Sequence, residues 1–301
     1  MSWWRINGLL LLLLSSSLLS QIPRDTSYTV ESTVAKISKR YPDLDIQGVK
    51  PVYPKSVEVT TGKIYKRIGE RSLPANLFSP RKYSNTTGVL LIHGGGWRTG
   101  SPELMTPLAE KLAESGYFVM VPEYRMSLET TYPAAVEDLK GAIQWMKDHS
   151  SELGIKENKI VVMGCSAGGQ LAALLGTTTD VQAIVDIDGV LAFKHPDSKE
   201  GEMAAQWLGG TYQEVPDIWK EASALSHVSE NTVPTLFLAS KYPRFLAGHQ
   251  EYMQVLEDNG IKTEIYFLED APHSFWLLTP WFEPTVNYTI KFLNETFNIN
   301  N

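Results

Sequence analysis

An α/β fold, a mainly parallel sheet covered by helices, is what this sequence predicts, and three observations carry that expectation. From about residue 88, short β-branched or apolar runs alternate with longer stretches of helical period. One run, Lys159 to Met163, passes through Gly164-Cys165-Ser166-Ala167-Gly168-Gly169 into the apolar stretch Gln170 to Leu175. Another, Val89 to Ile92, ends in His93-Gly94-Gly95-Gly96-Trp97.

In chain order, Ser56 to Tyr65 and Arg71 to Phe78 read as two strands joined by a polar turn around Gly69, an antiparallel pair at a sheet edge. The strands that follow are Gly88 to His93, Tyr117 to Pro122, Lys159 to Gly164, Val181 to Ile187, Pro234 to Ala239 and Lys262 to Leu268. Between them the apolar positions recur at helical spacing: Ala135, Leu139, Ala142, Ile143 and Met146 within Pro133 to His149, then Tyr252, Val255 and Leu256 within Gly248 to Asn259. Thr285 to Phe297 is a closing helix, and Leu191 to Ser229 interrupts the rhythm as a cap. No repeat, charge block or low-complexity linker divides the chain, so residues 56–301 are read as one catalytic domain behind an extension over residues 22–55 whose elements the pattern does not assign.

Residues 1–21 read as an export signal: Arg5, an apolar run from Leu9 to Leu14, then small residues suited to cleavage. The run falls short of the roughly 20 apolar residues a membrane span needs. The expectation is a secreted or periplasmic protein with no integral membrane association after cleavage. The 301 residues are 43% hydrophobic and 20% charged, a profile with ample material for a core. With 27 Lys and Arg against 34 Asp and Glu, the net charge of −7 offers no footprint for a polyanion, so nucleic acid is not expected as a partner. The lone Cys165 excludes an internal disulfide and a multi-cysteine metal cluster, and no metal site is expected. Oligomeric state is not legible.

The two glycine motifs carry the chemistry. Between a strand and a helix, Gly-x-Ser-x-Gly lifts a serine hydroxyl out of a sharp, strained turn, and the small residues let backbone pass close by. Ser166 is therefore the candidate nucleophile. The glycines after His93 free backbone N–H groups to point at one place. Acyl transfer needs such donors where a carbonyl oxygen turns into an oxyanion, and losing one costs ~2.7–4 kcal/mol of barrier. Gly95, Gly96 and the amide of Ala167 are the candidates; no Lys-Ser/Thr ending or dinucleotide pattern supports a phosphate loop instead.

Together with Glu123-Tyr124-Arg125 and Tyr132 to Asp138, these residues resemble the α/β-hydrolase superfamily, in its HGGG-type branch of esterases and carbohydrate esterases of the acetylxylan, pectin acetyl and feruloyl kinds, over about residues 56–297. The resemblance implies an eight-stranded sheet, no cofactor, a cap after strand six, and ester hydrolysis by a triad in the order Ser, acid, His. On that order, His93 and His149 precede Ser166 and are structural. His195, His227 and His249 read as loop or solvent positions, while His273, just past the last strand in Glu269-Asp270-Ala271-Pro272-His273, is the candidate base. The acid departs from the family pattern. It usually follows strand seven, yet Ser240 to Gly248 holds no carboxylate. Asp188, at the C-terminal edge of strand six and followed by a glycine, is favoured, with Asp270, Asp186, Glu200 or a missing acid left open.

Trp97, Trp276 and the cap aromatics could stack on sugar rings or pack under the cap, and Arg244, with Lys241, could meet a substrate carboxylate such as a uronate. The expected activity is that of a secreted serine esterase removing short acyl groups, acetyl foremost, from plant polysaccharides or oligosaccharides. Feruloyl esterase and arylformamidase-like hydrolysis are alternatives within the class. A non-catalytic hydrolase fold that binds carbohydrate or protein is the alternative outside it.

Overall fold

A computed structural model describes residues 22–82, 85–199 and 201–299. The expected leader, residues 1–21, lies outside them, as does Glu200. Eight strands form one sheet: β1 Val57–Ile68, β2 Arg71–Pro80, β3 Gly88–Ile92, β4 Phe118–Pro122, β5 Ile160–Cys165, β6 Ala183–Ile187, β7 Thr235–Ala239 and β8 Thr263–Phe267. Their spatial order is β1-β2-β4-β3-β5-β6-β7-β8. The β1–β2 and β2–β4 pairs are antiparallel and the rest are parallel, so the hairpin forms the edge that the turn at Gly69 and Glu70 predicts.

Both faces of parallel strands β3 to β7 are covered, which is why those strands are near-continuous apolar runs rather than alternating ones, whereas β8 at the edge has no fully buried residue. Along β3, Leu90 and Ile92 join the core beneath helices α3 Ala134–Asp148, α4 Ala167–Thr178 and α7 His249–Asp258. Val89 and Leu91 join the opposite core beneath α2 Thr106–Glu114 and α8 Phe282–Phe297. All four of these side chains are fully buried. Full burial of a Val, Leu or Ile side chain stabilises by about 1.5–3 kcal/mol each. Among the described residues no helix is long and apolar enough to cross a membrane.

Two regions stand over the C-terminal ends of the parallel strands. The cap, residues 191–229, carries α5 Glu202–Leu208 and α6 Pro216–Glu221. Its Trp207 stacks on Trp97 at 5.1 Å and its Trp219 meets Phe193 edge-on at 6.0 Å. The N-terminal segment is the other, and it is built into the domain. It carries α1 Val30–Arg40, opened by a capping box in which the Thr29 hydroxyl accepts from Ser32 N at 3.1 Å while Thr29 N donates to Ser32 Oγ at 3.0 Å. Before α1, Thr99 Oγ1 donates to Asp25 O at 2.6 Å and Arg24 pairs with Glu123. After it, Val49 N donates to Leu277 O at 2.9 Å, and the Glu110 carboxylate accepts from Val52 N and Tyr53 N at 2.7 and 2.9 Å.

Candidate active site

The β5–α4 junction delivers Ser166 to the centre of the sheet's C-terminal edge. Its φ of 55° and ψ of −120° are strained for a side-chain-bearing residue, and close packing on both sides holds it there. A Cβ at Gly164 would collide with Gly168 O, and a Cβ at Gly168 with Ile92 O, so only glycine lets β5, α4 and β3 approach this closely. Ser166 N donates to Ile187 O at 2.7 Å, tying the turn to β6.

Three side chains from three loops form one relay. Ser166 Oγ lies 2.9 Å from His273 Nε2, and His273 Nδ1 lies 2.6 Å from Asp188 Oδ2. The carboxylate accepts from Nδ1–H, which leaves Nε2 as the acceptor for the serine hydroxyl. Asp188 follows β6 directly, with a φ of 56°, a left-handed conformation that a short polar residue tolerates. Its N–H donates to Leu238 O at 2.9 Å, and its second oxygen accepts from Ser240 N at 2.8 Å. The loop after β7 thus supplies a donor to the acid instead of the acid itself. The Asp188 side chain is fully buried, and both of its oxygens have partners, His273 Nδ1 and Ser240 N.

The glycine loop completes the centre. The N–H groups of Gly95 and Gly96 donate to no backbone carbonyl among the described residues, and Ala167 is the first residue of α4, where N–H groups have no intrahelical partner. Gly96 and Ala167 line the same chamber as Ser166; Gly95 stands one residue behind, with a φ of 127°. Met203 of α5 hangs over Gly96, so the cap closes this side. Serine, imidazole, buried carboxylate and free N–H groups are the parts of an acyl-transfer site.

The model of the family described as BD-FAE matches residues 76–250, a span that includes the glycine loop, Ser166 and Asp188. The chain belongs to the BD-FAE family. This BD-FAE member is similar to Lipase 2 of Moraxella sp. (strain TA144), at 35% identity over 72% of this chain and 61% of that one. It is also similar to the ethyl acetate hydrolase of Pseudomonas putida, at 24% identity over 68% of this chain and 71% of that one. The chain spans 40% to 61% of the length of the first curated relatives it matches. Among solved structures, esterase 2 of Thermogutta terrifontis with butyrate bound shares the fold, with a TM-score of 0.67 and 24% identity over 80% of this chain and 94% of that one.

Several residues of this BD-FAE member sit elsewhere than the sequence reading places them. Trp97 borders the Ser166 chamber but is only 4% exposed: its ring is engaged by Trp207 and Phe193, and its Nε1 donates to Gln170 Oε1 at 2.9 Å. Trp276 is 1% exposed and lines neither chamber at the site; it meets the His273 ring edge-on at 5.1 Å. Neither offers a face for a sugar, because the cap and the turn before α8 bury them. His249 is a further correction: α7 turns it inward, not to solvent, against Phe237 at 4.6 Å. Burial pushes its imidazole down to about 4. Lys241 lies over the Tyr41 ring at 4.5 Å, 3.9 Å from Asp270, while Arg244 does line the chamber.

The other acid candidates stand apart from the relay. Asp270 is exposed and Asp186 is buried behind Asp188, where Oδ1 accepts from Gly189 N at 2.8 Å and Oδ2 is 3.9 Å from His249. Burial, reinforced by the Asp188 charge, raises the Asp186 carboxyl to about 8. The fully buried His93 is held down at about 4 by the same desolvation; its Nδ1 is 2.9 Å from Gly94 O, and its ring stacks on Tyr124 at 4.5 Å. It braces the glycine loop.

Sequence reasoning missed two contributors. Phe245 stacks face to face on His273 at 3.8 Å, and Tyr28 donates to Ser274 Oγ at 3.1 Å, fixing the residue next to the base. Phe245 lies in the carboxylate-free stretch after β7, where the family pattern has an acid and this chain has an aromatic ring. For α1, the signal was present in Thr29, Ser32, Thr33 and Ile37, a cap followed by helical spacing.

Proposed function

We propose that this BD-FAE member is a secreted serine esterase that removes short acyl groups, acetyl foremost, from carbohydrate hydroxyls. The observation that carries the esterase reading is the unbroken relay from Ser166 Oγ through His273 to the buried Asp188 carboxylate, set against free N–H groups at Gly96 and Ala167. In the reading, Ser166 Oγ attacks the ester carbonyl as its proton passes to His273 Nε2. The carbonyl oxygen takes the negative charge and accepts from the Gly96 and Ala167 N–H groups, with Gly95 shaping the loop. Collapse breaks the carbon–oxygen bond to the alcohol, which leaves with the proton from His273. Water then loses a proton to His273 as it attacks the acyl-serine; collapse breaks the acyl carbon–Oγ bond, His273 returns the proton to Ser166 Oγ, and the carboxylic acid departs.

A short acyl group fits the Val190, Met203 and Phe245 wall beside Ser166, and the name of the Pseudomonas putida relative points the same way. The same chamber, about 300 Å³, has room for a bulkier acyl group such as feruloyl, which is the second reading. Carbohydrate as the alcohol is supported by the polar lining on the His273 side, Ser27, Ser32, Tyr242 and Arg244, and export by the apolar run and small residues before residue 22.

The test is hydrolysis of aryl esters from acetate to longer acyl chains by the mature protein and by Ser166→Ala. Turnover that peaks at acetate and vanishes in the variant supports the reading; a peak at aromatic acyl groups moves it to the second. No turnover by either folded protein overturns it.

A further inference from the structure

Two chambers meet at Arg244 and Phe245. The first, about 300 Å³, contains Ser166 with Gly96 and Ala167. The second, about 590 Å³, opens on the His273 side, and its far wall is α1 with Lys36 and Arg40; Tyr28 and Tyr242 also line it. Proton traffic allots the two halves of an ester to these spaces. The carbonyl oxygen belongs with the free N–H groups in the first chamber, so the acyl carbon lies there. The leaving oxygen takes its proton from His273, which lines the second, so the alcohol half lies there.

The charge of that second chamber is one-sided. Lys36, Arg40 and Arg244 line it and no aspartate or glutamate does, in a chain whose net charge is −7. Among the described residues these three cations form no ion pair. The Arg40 guanidinium lies 5.3 Å from the Tyr242 ring and that of Arg244 lies 4.4 Å from Phe245, placing both at aromatic walls. Lys241 adds a fourth positive charge just behind, over Tyr41. The Tyr41 hydroxyl registers this field: burial opposes ionisation, yet its bond to Tyr242 and the charges of Lys241 and Arg40 hold it below the usual phenol range. Lys241 is met by Asp270 at 3.9 Å, but Lys36, Arg40 and Arg244, three cations gathered without counter-charges at one mouth of an acidic protein, make an anion site.

We propose that this chamber is a subsite for an alcohol that carries a carboxylate, recognised by Lys36 and Arg40 of α1 together with Arg244. The proposal rests on the esterase reading and narrows its substrate class to esters of acidic alcohols, such as O-acylated sugar acids. It gives α1 a task that the triad does not need: selecting the leaving group.

Binding to the inactive full chain, Ser166→Ala, tests it without turnover. Calorimetry at low salt would compare two matched pairs, acetylated galacturonate with acetylated galactose, and 4-acetoxybenzoate with phenyl acetate. The expected result is about tenfold tighter binding of the acidic member in at least one pair, a preference that weakens as salt rises. Preference confined to the sugar pair identifies a saccharide carrier, and preference confined to the benzoate pair an aromatic one. Adding Lys36→Gln and Arg40→Gln should bring that ratio to within about twofold, whereas the equal charge change Lys140→Gln with Lys156→Gln, far from the chamber, should preserve it. Equal binding within both pairs, or a preference that survives loss of Lys36 and Arg40, overturns the proposal. Phenyl acetate turnover by the unaltered chain is read separately, so failure of the subsite and failure of the esterase reading are distinguishable.

Discussion

Asp188 sits where β6 ends, and its second oxygen is claimed by Ser240 N at 2.8 Å while the first holds His273 at 2.6 Å. A carboxylate so fixed orients the imidazole and, in the proposed reaction, stabilises its cation. Replacing it with an amide keeps the size but permits the wrong tautomer. Asp188→Asn should therefore lower kcat by about 10³- to 10⁴-fold with little change in KM for a neutral aryl acetate, whereas Asp270→Asn should stay near the unaltered rate. Steady-state kinetics of the two variants decide between these carboxylates. Ser166, His273 and Asp188 were legible as residue types at turn and strand ends. The burial of Trp97, Trp276 and His249 was not, because one-dimensional spacing records neither the cap folding over a ring nor which way the first turn of a helix faces.

Among the elements, α4 illustrates how a local pattern encodes packing. Its first turn, Ala167-Gly168-Gly169, has no bulk because Ile92 and His93 carbonyls stand where a Cβ of Gly168 would be. Gly168→Ala should cost about 1–3 kcal/mol through overpacking, read as a fall in the thermal midpoint of roughly 2–4 °C per kcal/mol. Helix α1 offers the opposite case, a sparsely buried element that depends on its cap. Thr29→Ala removes the hydroxyl that accepts from Ser32 N and should weaken α1 by about 1 kcal/mol, seen as faster amide hydrogen exchange over residues 33–40 with the central strands unchanged. Strands β3 to β7 were readable because strands covered on both faces are apolar runs, and edge strand β8 through its β-branched and aromatic Thr263, Ile265, Tyr266 and Phe267. The N-terminal segment escaped assignment because its anchors are long-range: Asp25 to Thr99, Val49 to Leu277, Tyr53 to Glu110.

For the molecule as a whole, the buried pair behind the triad sets a pH dependence of stability. The Asp186 carboxyl ionises from about 8 in the fold against an ordinary 3.8, so between those values the unfolded state binds fewer protons and stability falls as pH rises. His249 acts at the other end: its folded value of about 4 lies below the ordinary 6.5, so stability falls again as pH drops through that interval. Asp186→Asn preserves an acceptor for Gly189 N and removes the first of these slopes. Its stability relative to the unaltered chain should grow by up to about 1.4 kcal/mol per pH unit across that interval, measured by denaturant titration at pH 5 and 8.

With the acid hung from β6, the stretch after β7 is relieved of proton chemistry except for one backbone amide and the Phe245 ring. Lys241 and Arg244 can then be exchanged without cutting the relay from Ser166 to Asp188. The scaffold is therefore modular in a useful sense: under the proposed function, a library varied at Lys36, Arg40, Lys241 and Arg244 changes the alcohol side while the relay from Ser166 to Asp188 stays intact.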